Sequence, residues 1–189
     1  MKINLFVLIL LCVSGCTTMT KSLPTDHTLT HEKAYVFGHF PLTTNRVWAG
    51  MKCLHGTALV VSSETSKKYF LSFDVAEQLP NGYKLFEVSP GLYNINEFTL
   101  THDRHGIDQG FEYRSKPRRG LDSPLSFNAE AGSIYYVGNY SATTSCGCET
   151  FTTCYGVSGP VDEAEAAMKY FGEKYENADS FQIHNTISK

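Results

Sequence analysis

The stretch Tyr83–Leu100, YKLFEVSPGLYNINEFTL, decides the fold class. Asn81-Gly82 just before it is a strong turn dipeptide, so a strand is expected over Tyr83–Val88. Ser89-Pro90-Gly91 is the next turn. Pro90 presets φ for the first turn position, and Gly91 tolerates a positive φ, so the chain reverses. A second strand is expected over Leu92–Leu100. Tyr93 and Ile95 keep the two-residue period of a strand, whereas Phe98 and Leu100 keep it one step out of phase. One extra residue near Asn96-Glu97 accounts for the slip, so the spacing predicts a β-bulge there.

The same grammar extends on both sides. Ala34–Phe40 (AYVFGHF) runs into Pro41, and Thr57–Ser62 contains Ala58-Leu59-Val60-Val61. Lys68–Phe73 puts Tyr69, Leu71 and Phe73 on one face. Leu125, Phe127 and Ala129 alternate, and Gly132 leads into Ser133–Tyr140 (SIYYVGNY). Short aromatic and β-branched strands with Gly/Pro punctuation predict a mainly β fold, an antiparallel β-sandwich over residues 34–189. One helix is expected near the C-terminus. Pro160-Val161-Asp162 opens it, with Asp162 as cap and Glu165 completing a capping box. Val161, Ala164, Met168, Phe171 and Tyr175 form its apolar stripe, which predicts an amphipathic helix laid on a sheet. Phe181 and Ile183 suggest a last short strand.

Composition excludes several classes. The chain has 189 residues, 42% hydrophobic and 19% charged, too apolar for a disordered chain and too polar for a multi-span membrane protein. A formal net charge of -3 gives no bulk attraction to nucleic acid.

The N-terminus carries an address. Met1–Cys16 reads MKINLFVLILLCVSGC: Lys2, then an apolar run from Leu5 to Val13. A spanning helix needs ~20 apolar residues, so the run fits the core of a signal peptide instead. Val13-Ser14-Gly15-Cys16 resembles a bacterial lipoprotein lipobox. That resemblance implies cleavage before Cys16, a diacylglycerol on its sulfur and acylation of the new amino terminus. Stable anchoring takes at least two acyl chains, which this arrangement supplies. Thr17, being other than Asp, implies by the same resemblance the outer membrane, with the protein facing the periplasm. Residues 1–15 are thus expected to be a signal peptide. Residues 16–33, Thr-rich and aperiodic, are expected to be a flexible tether spanning about 20–25 Å.

Pro90-Gly91-Leu92-Tyr93, followed by Phe127, Gly132 and Tyr135-Tyr136-Val137-Gly138, resembles a pattern in small bacterial lipoproteins with a transthyretin-like or carboxypeptidase-regulatory-like sandwich. The resemblance covers roughly residues 34–175. It implies a sandwich with one closing amphipathic helix, and it transfers no catalytic residues. Tyr93, Phe127 and Tyr136 are expected to fill the space between sheets, and Gly138 to permit a bulge or close backbone approach.

Of six cysteines, Cys12 lies in the signal peptide and Cys16 is the lipidation site. Cys53, Cys146, Cys148 and Cys154 remain, an even set that in an exported protein suggests disulfides. Cys146 and Cys148, two apart on a strand, would lie near the ~6.8 Å limit for a bridge. The favoured solutions join one of them to Cys154 and the other to Cys53. The shorter loop would contribute ~2–3 kcal/mol and the longer ~4–5 kcal/mol. The rival is chemistry: Cys146-Gly147-Cys148 with Cys154 offers three thiolates to Cu(I) or Zn²⁺, or a redox thiol.

The polar insertion Thr101–Ser123 holds His102, Asp103, His105 and Asp108, then the basic set Arg114, Lys116, Arg118 and Arg119. The arginines suit bidentate contact with an anionic envelope glycan or an envelope protein. The His/Asp set raises a hydrolase as a third reading. No G-x-S-x-G, H-E-x-x-H, P-loop or S-x-x-K motif occurs, so no catalytic residue, resident metal or cofactor is assigned. The expectation is a lipid-anchored envelope protein serving as a periplasmic binding or scaffolding module.

Overall fold

The structure is a computed structural model that describes residues 19–46, 55–64, 67–75, 83–102, 119–148 and 152–187. In chain order the strands are β1 (Met19–Thr20), β2 (Ala34–His39), β3 (Pro41–Arg46), β4 (His55–Ser63), β5 (Lys68–Ser72), β6 (Asp74–Val75), β7 (Tyr83–Val88), β8 (Gly91–His102), β9 (Arg119–Ala129), β10 (Ser133–Cys148), β11 (Thr152–Val161) and β12 (Gln182–Asn185). Helix α1 (Ala164–Lys174) stands between β11 and β12. The fold is mainly β. The first sheet has the order β1-β5-β4-β8-β9, and the second β6-β3-β10-β2-β7, with β11 and β12 also paired to β10.

The bulge expected in Tyr83–Leu100 is present. Val60 pairs with Glu97 and Val61 with Ile95, so β4 skips Asn96. On the other side Leu125 pairs with Ile95 and Gly120 with Glu97. Pro124, which has no N–H to donate, falls in the segment of β9 that drops out of that ladder. The phase change carries Tyr93, Ile95 and Phe98 alike into one core.

That core lies between the sheets. Leu59, Leu71, Ile95 and Phe127 from the first meet Val36, Phe86, Tyr135 and Val137 from the second. The outer face of the second sheet is buried as well. Tyr35, Phe37, Leu85, Ile134 and Tyr136 pack there against Ala167, Phe171 and Tyr175. Tyr136 therefore lies beneath α1 rather than between the sheets, and its neighbour Tyr135 takes the inner position. Adjacent residues on a strand point to opposite faces, and here both faces are covered. On the β5–β7 side, the buried Lys84 Nζ donates to Ser72 O at 2.7 Å and to Ser72 Oγ at 3.0 Å, joining the two sheets.

Three further expectations need correction. The sheets are not purely antiparallel: β10 runs parallel to β2, β3 and β12, and β1 runs parallel to β5. Short turns announce antiparallel neighbours, but a parallel partner arrives from far along the chain. Pro160 and Val161 end β11, and Val161 is 55% exposed rather than part of the helical stripe. The buried helix residues are Ala167 and Phe171, with Tyr175 just beyond. Glu163, not Asp162, is the N-cap residue and makes no side-chain cap hydrogen bond, so the expected capping box is not formed; Asp162 Oδ1 accepts the Ala164 N–H at 3.1 Å.

The third correction concerns the tether. From Met19 onward it is laid against the fold. Thr20 Oγ1 accepts the Phe70 N–H at 3.2 Å, and Leu23 N–H donates to Leu85 O at 2.8 Å. Leu29 is buried. Asn177 grips its backbone from both sides, accepting its N–H at 3.4 Å and donating to its carbonyl at 2.9 Å. Two leucines in an otherwise polar segment find the sheet face and the helix end, and their burial outweighs the entropy of a loose chain.

Candidate functional site

The short turns at Ser89-Pro90 and at residues 130–132 join the two sheets at one end. The opposite end holds the backbone positions of those sequence-derived candidates that are described, His102, Arg119, Cys146, Cys148 and Cys154. There β3 ends at Arg46 beside Cys146, β4 begins at His55 beside His102, and β9 begins at Arg119 beside Phe98. β10 and β11 form the hairpin of the C-x-C pair. Ser145 pairs with Cys154 and Cys146 with Thr153; the register then shifts, and Cys148 pairs with Thr152. The hairpin brings Cys146, Cys148 and Cys154 together in sequence register, yet no cysteine stands directly opposite another. Cys16, Cys53, Arg114, Lys116 and Arg118 lie outside the described residues, as do Asp103, His105 and Asp108. Among the described residues, no group of three or more His, Cys, Asp or Glu is arranged to hold a metal ion.

Two polar clusters went unread in the sequence. The first closes the end opposite the cysteine hairpin. Lys67 Nζ and the Tyr69 hydroxyl both donate to Ser89 Oγ, each at 3.2 Å. Ser89 N–H donates back to the Tyr69 oxygen at 3.1 Å, and the Tyr93 hydroxyl donates to Ser89 O at 2.6 Å. Lys67 Nζ stands 5.0 Å from the Tyr69 ring centre. Burial acts to raise the Tyr69 pKa, but the hydrogen bonds involving Lys67 and Ser89 outweigh it and bring it down to about 8. Tyr93, desolvated and beside Tyr69, is shifted upward. The cluster holds one phenol close to ionisation while it clamps the β7–β8 turn.

The second cluster sits where α1 begins. The Tyr136 hydroxyl donates to Asn139 Oδ1 at 2.9 Å, and Asn139 Nδ2 donates to Glu163 Oε2 at 2.6 Å. Glu163 N–H closes the circuit on the Tyr136 oxygen at 3.1 Å. Burial pushes the Tyr136 phenol up to about 12. Beside it Tyr83 stacks on Tyr170 at 4.9 Å and on Phe37 at 5.3 Å, with the His39 ring 5.0 Å from Tyr83. Burial lowers the His39 pKa, against the pull of Glu163. The arrangement anchors the helix to the sheet and leaves a half-buried aromatic shelf.

Both clusters join residues about twenty or more positions apart, such as Tyr69 with Ser89 and Asn139 with Glu163. Each cluster also has short-range members, Tyr93 four residues after Ser89 and Asn139 three after Tyr136, but these spacings do not show which distant residue completes it. A polar cleft of about 310 Å³ lies between Asp26 and His27 on one wall and Lys174, Glu176 and Asn177 on the other. Comparison of the chain with protein-family models, with curated proteins and with solved structures finds no match.

Proposed function

We propose that the protein is a lipid-anchored component of a bacterial cell envelope. It is held through Cys16 at the outer membrane facing the periplasm, and its two-sheet body serves as a β-sandwich binding or scaffolding module. The observation that carries this reading is Val13-Ser14-Gly15-Cys16 at the end of a short apolar run that begins just after Lys2. The arrangement of the body supports it: the strand ends leading into the basic insertion and the cysteine hairpin gather at one end, as loops on a rigid scaffold do in binding proteins. The partner chemistry is an anionic envelope glycan or an envelope protein that meets Arg114, Lys116, Arg118 and Arg119. The intact mass of the membrane-extracted protein should show a mature chain starting at Cys16 with three acyl groups. Cys16→Ser should release the protein from the membrane fraction. A full-length unmodified mass would overturn the anchor. Arg118→Ala with Arg119→Ala should leave the fold intact and weaken capture of envelope material; unchanged capture would rule out the basic site.

A second reading has its own support in the β10–β11 register, which sets Cys146, Cys148 and Cys154 within one hairpin. Two disulfides involving Cys53 would make them staples, whereas a full set of thiols, or a native mass with an ion lost on denaturing, would make them a metal or redox site. Mass measurement before any reductant separates the two.

A further inference from the structure

The N-terminal segment has an unexpected geometry: it leaves little slack between the lipidation site and the folded body. Met19 pairs with Phe70 and Thr20 with Leu71 in the parallel β1–β5 ladder. The Phe70 N–H is also tied to Thr20 Oγ1 at 3.2 Å. Downstream, Leu23 and Leu29 are fixed to β7 and to Asn177, so the segment cannot peel off as a loose leash without losing those contacts. Cys16 precedes Met19 by three residues. Three extended residues reach at most about 11 Å. Because β1 is parallel to β5, its first residue, Met19, lies toward the start of β5 at Lys68, next to Lys67 and the Ser89 turn.

We infer that the β1–β5 edge at its Lys67 end is the membrane-facing surface, held against lipid headgroups by the short Cys16–Met19 link. The inference rests on acylation of Cys16. Chain length and chain direction select this surface, not net charge, since Glu64 and Glu97 lie beside Lys67 and Lys68; Lys68 Nζ is 3.9 Å from Glu97 Oε1. Zwitterionic headgroups therefore suffice. The opposite end, with the cysteine hairpin, then points away from the bilayer. Thr143 on β10 stands ten residues beyond Ser133, on the order of 33 Å along the strand.

The test uses the full acylated chain in phosphatidylcholine vesicles doped with a nitroxide-headgroup lipid. A genetically encoded fluorescent side chain replaces either Glu64 or Thr143, both exposed. Quenching at position 64 should exceed that at 143 several-fold. Equal or reversed quenching on protein of confirmed acyl mass overturns the orientation and leaves the anchor standing. Protein without the acyl mass overturns the anchor and the orientation together, and the mass alone reports that. A Gly/Ser spacer of about fifteen residues between Thr17 and Thr18 should bring the two signals close to equality. A difference that survives the spacer shows that the short link does not set the orientation.

Discussion

Tyr69 and Tyr140 are both buried tyrosines of the inter-sheet core, but their hydroxyls have opposite surroundings. The Tyr69 oxygen meets the Ser89 N–H and Ser89 Oγ, with Lys67 above the ring, and ionises at about 8. Lys67→Met should return it toward the ordinary phenol value near ~10, read as the near-ultraviolet rise of phenolate with pH. An unmoved titration would show that Lys67 contributes nothing. The Tyr140 hydroxyl has no hydrogen-bond partner among the described residues and is shifted upward by burial. An orphaned buried hydroxyl costs stability, while its ring still stacks on Phe40 at 6.0 Å. Tyr140→Phe should therefore raise unfolding stability by about 1 kcal/mol, measured by urea denaturation. A loss instead would mean that a water or an undescribed group satisfies the hydroxyl.

Strand β10 organises the second sheet, and Gly138 is its pivot. The register shifts between Tyr136 and Asn139, so inward positions pass from Tyr135 and Val137 to Tyr140 and Ala142. Gly138 has φ +101°, and a Cβ there would stand 2.6 Å from Pro160 Cβ. Gly91 also has a positive φ, +148°, but nothing within 4 Å of its Cβ position. Gly138→Ala should thus cost more than Gly91→Ala, by about 1–3 kcal/mol for the clash alone. Equal losses would mean that β11 yields to the methyl group. For α1, the decisive side chain is Phe171, which meets Phe37 edge-on at 5.1 Å and stacks on Tyr175 at 4.7 Å. Phe171→Ala should cost ~3–5 kcal/mol and speed hydrogen exchange in the helix before the sheets. Uniform exchange would show that helix and sheets unfold together.

On the scale of the whole molecule, the tyrosines set an alkaline limit. Tyr136 and Tyr175 are pushed up to about 12, chiefly by burial, and Tyr83, Tyr93 and Tyr140 move in the same direction. In the unfolded chain these phenols ionise near ~10. Above that pH the folded state holds more protons than the unfolded state, so stability falls with rising pH. Tyr69 acts in reverse: its folded pKa is depressed, and it adds stability as pH rises from about 8 toward the unfolded value. The urea midpoint should hold or rise slightly through that window and then drop. A midpoint flat to strongly alkaline pH would contradict the burial of the phenols.

Local chemistry determined much by itself. The turn at Pro90-Gly91, the bulge at Asn96 and the limits of β7 follow from residue type and a two-residue period, which act over a few positions. So does the expectation of an anchor at Cys16, where the signal is contiguous. Tertiary structure alone decided the rest. It chose Tyr135 over Tyr136 for the inner core, because with both strand faces covered the sequence alternation loses its meaning. It paired β10 with β2 and β3 from about a hundred residues away, where no turn records the register. It joined Lys67, Tyr69 and Ser89, whose contact depends on two strands of different sheets meeting at one end. It also turned a polar leader into a strap, because Leu23 and Leu29 gain burial only when β7 and the end of α1 are already in place.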